Sequence, residues 1–84
     1  MGILKETFYQ KAKELALVRE ELEYRPMDEN LINKEKSLVL EVSKLYMDYL
    51  KQLSSIKDVV GRKEYKKLLN EAYNIATKGV EYVN

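Results

Sequence analysis

Glu20 and Glu23 stand three residues apart in a charged stretch, a spacing that turns two carboxylates to one side of a helix. Paired carboxylates do general acid–base work only where burial drives their pKa values apart. Here they lie between Arg19 and Tyr24 in a run that reads as a solvated helix face. The rest of the reactive inventory is thin. The chain has no His and no Cys, which removes the commonest general base, the commonest metal ligand and the thiolate nucleophile. Asp28, Glu29 and Glu35 lack the alternating oxygens and central glycine of a calcium loop. Gly2, Gly61 and Gly79 are isolated, so no glycine-rich phosphate loop exists. The expectation is a protein that is not an enzyme and holds no metal or cofactor.

Two groupings suggest contact rather than catalysis. Lys57, Arg62, Lys63, Lys66 and Lys67 form a basic cluster relieved only by Asp58 and Glu64. Its cations face the positive end of the helix that follows, where they do nothing for helix stability. It reads either as a solubilising corner or as a docking patch for an acidic protein surface or a phosphate backbone. The second grouping is apolar side chains off the packed stripes. Leu40 and Met47 fall with Lys36, Ser43 and Lys51, and Tyr9, Leu17 and Tyr24 fall with Ala16. Single exposed apolar residues are ordinary surface scatter, whereas contiguous ones rimmed by charge mark partner surfaces, and the sequence leaves both readings open. Tyrosine suits that role, because it offers area at modest entropic cost and keeps a polar tip. Tyr9, Leu17, Tyr24, Leu40 and Met47 are the candidate anchors.

The elements that carry these residues are helices. Three Gly and one Pro in 84 residues are too few for a turn-rich β fold. Leu4, Phe8, Ala12, Leu15, Arg19 and Leu22 recur at helical steps, with Val18 widening the stripe, until Arg25-Pro26 ends the pattern. Asp28 is placed to cap a second helix, with Glu29 in its first turn and Met27 and Ile32 at hydrophobic-staple positions. That helix runs through Leu31, Leu38, Val42, Leu45, Tyr49, Leu53 and Ile56, with Glu35 the one charge in its stripe. Ser54-Ser55 and Asp58 to Gly61 read as the second break. Tyr65, Leu68, Leu69, Ala72, Ile75, Ala76, Gly79, Val80 and Val83 define the third helix. Gly79 either admits a neighbouring backbone or stops the helix. The reading is one all-α domain over residues 1–84, an antiparallel up-down-up bundle with helices near 3–24, 29–56 and 62–82.

Formal charge is +1 overall, with −2 on residues 1–42 and +3 on residues 43–84. That balance is wrong for bulk coating of nucleic acid, and its asymmetry makes the molecule dipolar. No apolar run approaches the ~20 residues that span a bilayer, and the first residues meet an acid at Glu6 before any signal-like apolar run. The expected setting is cytoplasmic, without membrane contact. A Lys-, Glu- and Tyr-rich chain without Cys is similar in usage to thermostable archaeal proteins.

Two resemblances sharpen the expectation. Glu41-Val42-Ser43-Lys44-Leu45-Tyr46 resembles the Glu-Ala-x-x-Leu-Tyr stretch of MIT domains, with Val42 in place of the usual Ala. Ala12, Ala16, Ala72 and Ala76 match that family's small packing residues. That resemblance implies a three-helix module binding a helical peptide of ESCRT-type filaments, near residues such as Tyr46 and Lys66. In size, helical content and composition, with no diagnostic motif, the chain also resembles the small accessory subunits of crenarchaeal B-family DNA polymerases. That family implies a non-catalytic subunit that binds a larger protein in DNA replication, with nucleic-acid contact secondary. Self-association into a homo-oligomer is the third possibility.

Overall fold

The computed structural model describes residues 2–79. Over these the chain folds as an all-α three-helix bundle: α1 (Gly2–Tyr24), α2 (Glu29–Val60) and α3 (Arg62–Lys78). Val80 and Val83, assigned to the third helix by periodicity, lie outside the described residues.

Helix boundaries follow from local chemistry. α1 gives way at Arg25-Pro26, where Arg25 N–H still donates to Glu21 O at 3.0 Å. Asp28 then caps α2: its carboxylate accepts from Leu31 N–H at 3.2 Å, satisfying an amide that has no partner within the helix. The expected hydrophobic staple does not form. Met27 is 85% exposed, which leaves it too little buried area to pack on Ile32.

α2 also runs further than the serine pair suggests, ending at Val60 rather than near residue 56. Ser55 Oγ donates back to Gln52 O at 2.6 Å, so its hydroxyl is satisfied without breaking the helix. Leu53 is fully buried, and Ile56 packs beside it. The break is Gly61 alone, at φ 88° and ψ 161°, a conformation open to glycine. Its N–H donates to Lys57 O and its carbonyl accepts from Tyr65 N–H, so one residue closes α2 and opens α3. Gly79 fills both roles suggested for it. Its left-handed φ of 69° ends α3, and a Cβ there would stand 3.0 Å from Ala16 Cβ and 3.2 Å from the Ala12 carbonyl oxygen.

The core combines Phe8, Ala12, Leu15 and Val18 from α1, Leu38, Val42, Tyr49 and Leu53 from α2, and Ala72 and Ile75 from α3. Each larger member contributes about 1.5–3 kcal/mol on burial. Phe8 sits at the centre, stacked on Tyr46 at 5.7 Å and tilted against Tyr49 at 5.6 Å. Such ring pairs add about 0.5–1.5 kcal/mol beyond their area.

Ion pairs record the register. Lys11–Glu41 and Arg19–Glu35, each at 3.1 Å, climb α1 while descending α2, so these two helices are antiparallel. Lys5 pairs with Glu71 and Ala16 meets Gly79, so α3 runs parallel to α1. The two charges embedded in the apolar stripes, Arg19 and Glu35, therefore answer each other. At 1.5 Å per residue α2 is about 48 Å long, the same as the 47 Å long axis of the molecule. α3 stops beside Ala12 and Ala16. From there to the α1–α2 turn, the described residues form a two-helix arm.

Candidate functional site

The five candidate anchors divide. Leu17 and Tyr24 are 54% and 81% exposed on α1, and Leu40 and Met47 are 73% and 57% exposed on α2. A helical position points roughly 100° from the last, which sets each pair on the side of its helix opposite the buried stripe. The two pairs thus face outward in different directions and do not merge into one patch. Tyr9 behaves otherwise. It is half-buried and packed against the core, with the Lys13 ammonium 6.0 Å above its ring. Tyr9 and Ala16 project toward the α1–α3 seam, one quarter-turn from Leu17.

Among the described residues four further large apolar side chains stand in solvent: Ile3, Met27, Val59 and Tyr73. Ile3, missed in the sequence, precedes Leu17 by fourteen residues and continues the same outward stripe. Tyr73 lies three residues beyond Asn70 and seven beyond Lys66 on the outer side of α3. Val59 flanks the α2–α3 corner.

All five residues of the basic cluster are exposed, and none forms an ion pair among the described residues. Lys57 and Arg62 share an open hollow of about 310 Å³ with Asp58 and Tyr65. Lys63, Lys66 and Lys67 line a second with Val60, Glu64 and Asn70. The cluster thus wraps two sides of the corner. α3 starts without a side-chain cap and with Glu64 its one acid in the first turn, so Arg62 and Lys63 sit where the helix dipole disfavours them, whereas Lys57 lies in the last turn of α2, where the dipole favours a cation.

Elsewhere the cations divide: Lys13, Lys36, Lys44, Lys51 and Lys78 likewise have no ion-pair partner among the described residues, and the others are paired. Lys5, Lys11, Arg19, Arg25 and Lys34 all meet carboxylates of α1, α2 or α3. The hydrogen bond from Lys11 to Glu41, with the nearby charges of Glu41 and Glu14, raises the Lys11 pKa above its ordinary 10.5.

Glu20 and Glu23 are both exposed, as a solvated face requires. No group of three or more His, Cys, Asp or Glu among the described residues is arranged to hold a metal ion. No described helix is long and apolar enough to cross a membrane. Of the residues tied to the MIT resemblance, Tyr46 spends one ring face on Phe8, while Lys66 is free in solvent.

The described residues therefore form an all-α bundle with two outward apolar stripes and a corner of cations without ion-pair partners among them. No protein-family model, curated protein or solved structure matches the chain.

Proposed function

We propose that the protein is a non-catalytic interaction subunit, held against another protein of a larger assembly through its outward helix faces. The observation that carries this reading is Leu40 and Met47, 73% and 57% exposed on one stripe of α2. Exposed apolar side chains that repeat along one helix face and are rimmed by charge are the surface signature of a partner. The basic corner supplies long-range attraction. Its charges have no ion-pair partner among the described residues, and oriented surface charge raises encounter rates more than final affinity. A partner with an acidic surface fits it. The resemblance in type to polymerase accessory subunits makes a replication complex the first assembly to search.

The test is purification of the tagged chain from its native cells at moderate salt. The wild type should bring down another polypeptide in fixed proportion, and Leu40→Glu should lose it while keeping its helical circular dichroism. Recovery of nothing in fixed proportion, or full recovery with Leu40→Glu, would refute the reading.

The clustering of five exposed cations at one corner, without ion-pair partners among the described residues, also favours a second reading, direct contact with a phosphate backbone. It predicts affinity for single- or double-stranded DNA that falls steeply with salt. No binding at low salt removes it.

A further inference from the structure

Five of the large apolar side chains left in solvent fall on two stripes of matching spacing. Ile3, Leu17 and Tyr24 repeat at 14 and 7 residues along α1, and Leu40 and Met47 stand 7 apart on α2. Seven residues are two helical turns, about 10.5 Å, and this is the repeat by which one helix seats its side chains against another.

The flanking charges decide what each stripe accepts. Positions three and four residues from Leu40 and Met47 hold Lys36, Lys44 and Lys51 and no acid. None of these lysines has an ion-pair partner among the described residues. The same positions around Leu17 and Tyr24 within α1 hold Glu14, Glu20 and Glu21, with Lys13 the one cation. Glu14 has two loose partners, Lys34 at 3.7 Å and Lys11 at 4.0 Å, Glu21 has Arg25 at 3.7 Å, and Glu20 has none among the described residues. Docking either stripe on its own kind sets lysine against lysine or glutamate against glutamate. Docking α1 on α2 joins opposite charges over apolar groups of equal spacing.

We infer that the two stripes are the two halves of one interface between copies of this chain. The α1 stripe of one copy seats on the α2 stripe of the next. The occupant of the outward faces is thus a second copy, an inference that rests on reading those faces as docking surfaces. Because the stripes point in different directions, a copy that receives a neighbour on α2 still offers α1. The contact is heterologous and propagates into rows rather than closing as a symmetric dimer.

Sedimentation equilibrium of the purified full chain tests it. The wild-type mass should rise with concentration past twice the 9.9 kDa of one chain. Leu17→Lys spoils α1 and Leu40→Glu spoils α2, so each variant alone should stay at the mass of one chain with unchanged circular dichroism. Their equimolar mixture should associate again, because an intact α2 from one meets an intact α1 from the other. A wild type that stays at one chain at every concentration overturns the inference, as does a mixture that fails to associate or a single variant that still does. The outcome separates from that of the purification above. A monomeric chain that still recovers a larger polypeptide through Leu40 removes the self-contact and keeps the docking reading. A self-associating chain that recovers nothing else does the reverse.

Discussion

Replacing Gly79 by alanine probes the point where α3 is both stopped and pressed against α1. Two costs are visible. At φ 69° an L-residue is in the left-handed region, which costs about 1–2 kcal/mol without glycine. The new Cβ would also stand 3.0 Å from Ala16 Cβ and 3.2 Å from the Ala12 carbonyl oxygen. Both belong to a helix held by Phe8, Leu15 and Val18, so neither yields as a flexible side chain would. Overpacking of this kind costs about 1–3 kcal/mol. The sum, about 2–5 kcal/mol, is a large part of the 5–15 kcal/mol typical of a domain. It corresponds to a drop in Tm of at least about 8 °C at about 4–8 °C per kcal/mol for a domain of this size. Urea unfolding followed by circular dichroism measures it. Ala16→Gly isolates the steric part: alone it costs about 1 kcal/mol of helix propensity, but beside Gly79→Ala it removes the 3.0 Å contact. The double variant should be more stable than the sum of the singles by about 1 kcal/mol, beyond the roughly 0.3–0.5 kcal/mol scatter of independent sites. Strict additivity would show that α3 does not press on α1 here. A Gly79→Ala loss no greater than about 0.5 kcal/mol, the range of a neutral surface change, would show that the cap itself is absent.

Other substitutions test the rest of the bundle. Leu53→Ala should destabilise by about 2–5 kcal/mol in the same urea assay, since Leu53 is fully buried just before the serine pair; a loss below about 1 kcal/mol would mean that α2 does not stay packed there. A double-mutant cycle of Arg19→Ala and Glu35→Ala should give a coupling of about 0.2–1 kcal/mol that shrinks in 1 M salt, because both side chains remain partly in water. No coupling at low salt removes the pair from the account. The Lys11 pKa is raised in the folded state, so its contribution is complete below the ordinary 10.5 and is lost as pH climbs through the folded value. The urea midpoint should therefore fall less above about pH 10.5 in Glu41→Gln than in the wild type, and identical profiles would contradict the pairing.

The α2 start and the Arg25-Pro26 stop are legible because one residue type decides each. Asp28 has a carboxylate at the right place, and proline lacks a donor. The end of α2 is less so. Serines read as a break, yet Ser55 bonds back to Gln52 and Leu53 and Ile56 hold the helix to the core, leaving Gly61 to make the turn. Arg19 and Glu35 each stand out as charges in an apolar stripe, but only the α1–α2 register pairs them. The same limit applies to Tyr9. Its position on the wheel is off the main stripe, and it is the third helix, packed against that flank, that half-buries it. The outward faces of Leu17, Tyr24, Leu40 and Met47 needed no tertiary information, because the side opposite a buried stripe is solvent in any bundle of three helices. Ile3 belonged with them by spacing and was hidden by its distance from Leu17.

Photo-crosslinking in native cells tests whether this bundle works by being held against another chain through its outward faces. A photoreactive residue replaces Met47 in one strain and Thr77, exposed on α3, in another. The account predicts a covalent adduct to another polypeptide from position 47, in clear excess over position 77. Position 47 yielding no adduct, or no more than position 77, would contradict it.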